Sequence, residues 1–130
     1  MKNTLLASEK RVATAVSEDQ NTPAAQRGVM IVLDVTAAPN ANDTLALQLE
    51  VRDPASGKYV PLTAFAVSKK GSEIQAGTTL VFTLYPGAAE TAALGNHEVM
   101  ALPLPQSWRV KVTHSAAGEW IYSVGASTLR

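Results

Sequence analysis

The stretch TLALQLEVR, residues 44–52, limits most strongly what this chain can fold into. Its leucine and valine side chains fall on every second residue, with mostly polar side chains between them. Successive side chains of a β-strand point to opposite faces, so this pattern predicts a strand with one buried and one solvent-facing side. The buried set is Leu45, Leu47, Leu49 and Val51, and the solvent-facing set is Gln48, Glu50 and Arg52.

Other stretches also favour strands. GVMIVLDVT, residues 28–36, is apolar and β-branched almost throughout, which predicts a strand buried on both faces or nearly so. KYVPLTAFAV, residues 58–67, contains Pro61, which cannot donate a ladder hydrogen bond and therefore places this strand at a sheet edge or a bulge. The remaining candidates are TTLVFTLYP (78–86), VMALPLP (99–105), SWRVKVTH (107–114) and EWIYSVGAS (119–127).

Short polar segments connect these strands. In DPASGK, residues 53–58, Pro54 suits a turn corner and Gly57 suits positive φ, so a hairpin loop is expected. We expect a loop over residues 69–77, and a loop with a short helical turn over residues 88–98. About eight short strands without a long helix predict an all-β fold. A two-sheet β-sandwich or jelly roll is preferred over a small barrel.

The strands near the C-terminus carry both tryptophans and predict a hairpin. Trp108 heads the apolar face of its strand, so we expect it in the core. Trp120 and Tyr122 share one face of the returning strand, and SAAG, residues 115–118, fits the connecting loop. Trp120 lies beside that loop, where it either covers the core or anchors an interface with a partner. The residues alone leave both alternatives open.

The N-terminal segment is polar and rich in alanine, in contrast to the apolar strands that follow. We expect an extended N-terminal arm over residues 1–27 and a single β-sandwich domain over residues 28–130. Within the arm, Val12, Thr14 and Val16 alternate and predict one short strand. We expect that the core does not fully hold this arm in place.

The composition restricts the partners and the compartment. Eleven basic and eleven acidic residues cancel, which argues against nucleic acid and anionic membranes as partners. The absence of cysteine excludes disulfides and thiolate chemistry. No apolar run has the length of a secretory signal or a membrane span, so we expect the protein to be made in the cytoplasm of the cell that produces it.

The residues that carry catalysis or bind metals are sparse. His97 and His114 are the only histidines, and a metal site would have to combine them with Glu98 or Glu119. Their expected positions, in a polar loop and at turns, favour ordinary surface roles. The chain also lacks a nucleophile elbow and a glycine-rich phosphate loop. We therefore expect no metal, no cofactor and no enzymatic activity.

The layout of three stretches resembles small virion proteins of tailed bacteriophages. They are RGVMIVLDVTA (27–37), DPASGKYVPL (53–62) and LPQSWRVKVTHSAAGEWIYSVGAS (104–127), with LYPGA (84–88) between the last two. They occur in the order that the resemblance requires and span most of residues 27–127. In size and residue pattern the chain is similar to the jelly-roll cement proteins of podovirus heads.

The resemblance implies a capsid cement or decoration protein. Such a protein binds the outside of an assembled phage head and stabilises it by bridging subunits of the major capsid protein. The resemblance also implies self-association, as a dimer or larger, on the capsid and a location in the virion. Two alternatives remain: a head–tail or tail structural protein, and a carbohydrate-binding adhesion module in which Trp120, Tyr122 and Tyr59 stack on sugars.

The residues expected to bind a partner follow from the arm and the aromatic hairpin. An extended arm can pair with a strand of the capsid protein, and basic residues can face acidic capsid surface. The resemblance transfers no catalytic residue. The candidate partner-binding residues are Lys10, Arg11, Val12, Arg27, Trp120 and Tyr122.

Overall fold

The computed structural model describes residues 3–40, 42–62, 67–70, 78–94, 97–114 and 119–130, and every regular element in these ranges is a β-strand. The described residues contain no helix that is long and apolar enough to cross a membrane. The strands are β1 (Thr4–Arg11), β2 (Ala15–Val16), β3 (Gln20–Asn21), β4 (Gly28–Ala37), β5 (Thr44–Arg52), β6 (Tyr59–Pro61), β7 (Val67–Lys70), β8 (Thr78–Leu84), β9 (Thr91–Leu94), β10 (His97–Met100), β11 (Ser107–His114) and β12 (Trp120–Leu129).

The strands form two sheets that pack face to face. Sheet A has the order β1-β12-β4-β8-β10-β9, and sheet B has the order β2-β11-β5-β6. In sheet B, β3 also pairs with β11 beside β2, and β7 also pairs with β5 beside β6. The predicted all-β sandwich is therefore confirmed.

The chain alternates between the sheets in the order of a jelly roll. It passes from β1 in sheet A to β2 and β3 in sheet B, then to β4 in A, β5 to β7 in B, β8 in A, β11 in B and β12 in A. The principal neighbours are antiparallel, as in the two Greek keys of that fold. The β9–β10 hairpin extends sheet A, with β10 parallel to β8.

The core lies between the sheets and is built by side chains that alternate inward. Trp108, Trp120 and Tyr122 are each 0 % exposed. They pack with the inward leucine, isoleucine and valine side chains of β4, β5, β8 and β11. The prediction that Trp108 belongs to the core is confirmed. For Trp120 the alternative left open is decided in favour of the core, because its indole has no accessible surface for a partner.

The N-terminal residues are extended, and they belong to both sheets. β1 pairs with β12 over most of its length, and Leu5 is buried in the core. β2 and β3 both pair with β11. The boundary predicted between residues 27 and 28 thus falls inside the strand network. The single strand predicted over Val12, Thr14 and Val16 is wrong, because the chain leaves sheet A at Arg11 and enters sheet B at Ala15.

Two local predictions are wrong because pairing outweighs local propensity. The helical turn expected within residues 88–98 is replaced by β9 and β10, since β10 extends the edge of β8. Lys69 and Lys70, expected in a loop, lie in β7 and pair with β5. Residues 71–77 and 115–118, also predicted as loops, lie outside the described residues.

The predicted edge strand at Pro61 and the predicted hairpin loop at residues 53–58 are both confirmed. Pro61 ends β6, which lies beside β5 at the border of sheet B among the described strands. Gly57 has a φ of 76°, and its N–H donates to the Asp53 carbonyl over 2.8 Å. Asp53 also accepts hydrogen bonds from the Ala55 N–H and the Ser56 hydroxyl, over 3.0 and 2.7 Å. The loop therefore closes as an Asp-led hairpin turn.

The two faces of β4 are buried to different extents. Its burial alternates, with Val29, Ile31, Leu33 and Val35 fully buried. The other face of the strand, expected to be buried as well, is only half-buried within the described part of the chain. An apolar strand therefore keeps one partly open face.

We predict that Trp108→Ala lowers the free energy of unfolding by about 3–5 kcal/mol, because it empties a large volume in a closed core. Urea denaturation followed by circular dichroism measures the change. Val60→Ala is the matched control, since Val60 is 46 % exposed and its truncation should cost less than about 0.5 kcal/mol. Equal losses in the two variants would contradict the placement of Trp108.

Candidate partner-binding site

An exposed corner lies where the chain passes from sheet A to sheet B. β1 ends here, residues 12–14 cross over, and β2 begins. Val12 is 54 % exposed and Val16 is 41 % exposed, both unusually high for valine. A groove of about 370 Å³ follows this corner. Its lining consists of Leu6, Glu9, Arg11, Val12, Ala13, Thr14, Ala15 and Val16.

Backbone edges make this corner distinctive. Among the described strands, β1 has a neighbour on one side only, and so has β2. Because three residues join these strands, the free edges of both sheets lie on the same side of the sandwich. Free edges present unpaired N–H and C=O groups to which another strand can add.

The six predicted partner-binding residues fall into three places. Lys10 and Val12 are exposed at the corner. Arg11, Trp120 and Tyr122 lie beneath it, so their predicted role as contact residues is corrected: they support the corner from inside. Their register explains this, since Arg11 pairs with Trp120, whose side chain points into the core.

Arg27 lies at the opposite end of the sandwich. Its N–H donates to the Leu129 carbonyl over 2.8 Å, and its carbonyl accepts from the Leu104 N–H over 3.0 Å. Arg11 pairs with the first residue of β12, whereas Arg27 adjoins the last. At about 3.4 Å per residue, the length of β12 separates the two arginines by roughly 30 Å. The structure therefore does not bring Arg27 into the corner.

Arg11 fastens the end of β1 to β12. Its side chain is only 9 % exposed. Nη1 donates to the Tyr122 carbonyl over 2.9 Å and Nη2 donates to the Ala7 carbonyl over 2.6 Å. The guanidinium lies 4.8 Å from the centre of the Tyr122 ring, and Nη2 lies 3.4 Å from Oε1 of Glu9. Charge-assisted hydrogen bonds and a cation–π contact thus compensate the burial of this cation.

His114 completes the cluster under the corner. Its Nε2 lies 2.9 Å from the Tyr122 hydroxyl, and its ring is 6.2 Å from the Trp120 ring in a stacked arrangement. Burial lowers the pKa of His114, a backbone hydrogen bond at Val12 opposes the change, and the Arg11 charge lowers the pKa further. Burial raises the pKa of the Tyr122 phenol. The arrangement therefore favours a neutral imidazole beside the buried cation.

A signal for this cluster was present in the sequence. His114 has the same parity as Trp108 in SWRVKVTH, so it shares the inward face of β11. Its position at the end of the strand suggested a surface turn instead. The structure places it partly inside, against the aromatic residues of β12.

A second polar cluster lies on the outer face of sheet B. Arg109 Nε donates to Glu50 Oε1 over 2.8 Å, in directly paired positions of β11 and β5. Arg109 also lies 3.7 Å from the centre of the Tyr59 ring. Glu50, predicted to face solvent, is only 5 % exposed because these side chains cover it. This cluster joins β11 to β5, and the Arg109 guanidinium covers one face of the Tyr59 ring.

The arrangement of the side chains bears on two alternatives, a metal site and a sugar-binding platform. No group of three or more His, Cys, Asp or Glu that could hold a metal occurs in the part of the chain that the structure describes. His97 lies in sheet A and His114 in sheet B. Of the three rings considered for sugar stacking, Trp120 and Tyr122 are buried and Tyr59 is covered by Arg109 on one side. The rings do not form a shared exposed platform.

Comparisons with known proteins do not assign this chain to a family. No protein-family model and no curated protein matches the chain. Among solved structures, a chain in the structure of infectious bursal disease virus, Gx strain, is similar with a TM-score of 0.39 and 11 % sequence identity. The match covers 96 % of this chain and 29 % of that chain. A likeness at this level carries no argument about function.

We predict that Arg11→Met lowers the free energy of unfolding by about 1–3 kcal/mol, because it removes charge-assisted hydrogen bonds while keeping most of the packing volume. Hydrogen exchange should show loss of protection concentrated in β1 and the start of β12. Lys10→Met is the matched control, since Lys10 is exposed, and it should leave both measurements nearly unchanged. An Arg11 variant as protected as wild type would contradict the fastening role.

We predict that stability falls as the pH drops from about 7.5 through the ordinary histidine pKa near 6.5. The folded pKa of His114 is lowered, so the unfolded chain binds a proton that the folded chain excludes, and protonation favours unfolding. The contribution is full well above pH 6.5 and is lost as the pH falls through 6.5 toward the lower folded pKa. His114→Gln should flatten the dependence of the melting temperature between pH 7.5 and 5.5, whereas His97→Gln should retain it.

Proposed function

We propose that this protein is a virion structural protein that binds the outside of an assembled phage capsid. It stabilises the capsid by bridging neighbouring subunits of the major capsid protein. The observation that carries the proposal is the corner between β1 and β2, where two free strand edges and exposed Val12 and Val16 lie together. The resemblance of the sequence stretches to phage virion proteins supports a capsid protein as the partner.

The free edges provide a means of binding. A strand of a partner can add to an open edge through main-chain hydrogen bonds, and side chains beside the edge supply specificity. Here Val12 and Val16 offer apolar contacts, and Lys10 offers a charge at the margin. The Arg11 cluster beneath keeps this surface in one conformation, which lowers the entropic cost of binding.

Bridging explains how a small contact can stabilise a shell. A head filled with DNA is under internal pressure, and the contacts between capsid subunits resist it. A closed lattice presents many equivalent sites, so even modest individual contacts add up through multivalency. A protein that binds the assembled lattice better than free subunits stabilises the lattice by mass action.

The proposal contains no catalytic step, metal or cofactor. It places the protein on the capsid surface of the virion after synthesis in the host cytoplasm. A head–tail or tail role would use the same fold in a ring and differs in copy number. The sugar-binding alternative loses support because the described aromatic rings do not form an exposed platform.

We predict that phage heads carrying the protein release their DNA at a higher temperature than heads lacking it, in proportion to occupancy. DNA release is followed with an intercalating dye during heating, and gel densitometry gives the copies per particle. Identical release curves would contradict the stabilising role. About a dozen copies per particle would indicate the head–tail alternative instead.

Variants locate the contact. The double substitution Val12→Asp with Val16→Asp should reduce shell binding at least tenfold while the melting temperature of the free protein stays close to wild type. Val60→Asp is the control, because Val60 is similarly exposed but lies on β6. Equal shell binding by both variants would exclude the corner as the contact surface.

A further inference from the structure

The outer face of sheet A has an unusual composition. The strands β12, β4, β8 and β10 lie side by side in this sheet. At the paired positions whose side chains point away from the core, none of them carries Lys, Arg or Glu. Met30, Val32, Val81 and Val99 form its apolar middle, and each is half-buried. Serine and threonine side chains of β8 and β12 surround them. The only titratable side chains in these rows are Asp34 and His97.

The outer face of sheet B is different. There Arg109 and Glu50 form an ion pair beneath Tyr59, and Lys111 extends the charged row. An apolar middle depleted of charged residues is the composition of a buried interface, whereas charged pairs suit a solvated surface. In agreement, β4 has the sequence of a strand covered on both faces, although the described residues cover only one.

We propose that a second copy of this chain covers the outer face of sheet A in a two-fold contact of sheet A against sheet A. A two-fold contact requires a patch that is complementary to itself. Asp34 and His97 meet this requirement. They lie on β4 and β10, on either side of β8, and their partners on β8 are two residues apart. A two-fold axis passing over β8 near Val81 sets each Asp34 opposite His97 of the second copy.

Both groups are held in place for this contact. Asp34 Oδ1 accepts a hydrogen bond from the Thr79 hydroxyl over 3.2 Å. His97 Nε2 lies 3.4 Å from the Thr83 hydroxyl. A carboxylate on one copy and an imidazole on the other can form a hydrogen bond across the interface. The apolar middle would then be enclosed by two symmetric polar contacts.

The size of the face sets the strength of the contact. Four strands about 4.8 Å apart and three rows about 7 Å apart give a flat area on the order of 400 Å² per copy. Standard interfaces bury about 800 Å² per partner. The dimer is therefore expected to depend on concentration and to strengthen where copies are held close together. The inference does not rest on the proposed function, because it concerns the chain's own surface.

Sedimentation equilibrium over a concentration series tests the inference. The wild-type protein should show a monomer–dimer equilibrium. Val81→Lys should raise the dimer dissociation constant at least tenfold by placing a charge in the middle of the face. Ser127→Lys is a second variant that adds charge at the exposed margin without removing apolar packing. Val60→Lys is the control on sheet B and should dimerise like wild type, with melting temperatures confirming that each variant folds.

A charge exchange tests the orientation of the copies. Asp34→Lys should weaken dimerisation, and adding His97→Asp to the same chain should restore it. A wild-type protein that stays monomeric up to about 1 mM overturns the proposal, as does a dimer insensitive to both Val81→Lys and Ser127→Lys. A monomer whose binding to shells is lost on Val81→Lys also overturns it, and assigns the face to the capsid.

Discussion

The pairing of β12 with both β4 and β1 is the interaction on which the rest of this structure depends. β12 joins β4 along nearly its whole length and β1 along its first half. Its inward side chains Trp120, Tyr122 and Val124 fill the middle of the core. The last strand of the chain thus holds the first strand in place, and the jelly roll closes only when strands distant in sequence meet.

The same pairing explains why a buried cation lies at the corner. β1 ends opposite Trp120, and Arg11 covers the Tyr122 ring where the strand leaves the sheet. The guanidinium donates to a backbone carbonyl on β12 and to one on β1, and so joins the two strands where the chain turns toward sheet B. Apolar Val12 and Val16 then remain outside, next to free strand edges, where a partner can contact them.

Side-chain alternation allowed the central strands to be predicted, and its limits explain the errors. In β5, β11 and β12 the period of two matches the burial of Leu47, Trp108 and Val124. β1 to β3 carry no such pattern. Backbone hydrogen bonds hold these short or edge strands, and such bonds leave no periodicity in the sequence. The sequence therefore predicts an arm at this place. Trp120 has the same parity as Val124, so alternation alone indicates an inward side chain, and only its position beside the loop left its burial open. Of the predicted site, only Lys10 and Val12 are exposed at the corner.

The borders of the two sheets are protected in different ways, and this difference favours one side for binding. At β6, Pro61 lacks the N–H that an added strand would need. At β1 the pairing with β12 is irregular at two places, and Glu9 and Lys10 add charge. Such irregularity and charge discourage pairing with identical edges while leaving hydrogen-bonding groups available. A complementary strand of a different protein is therefore favoured over a second copy at the corner, and the apolar middle of the outer face of sheet A suits the proposed contact between copies.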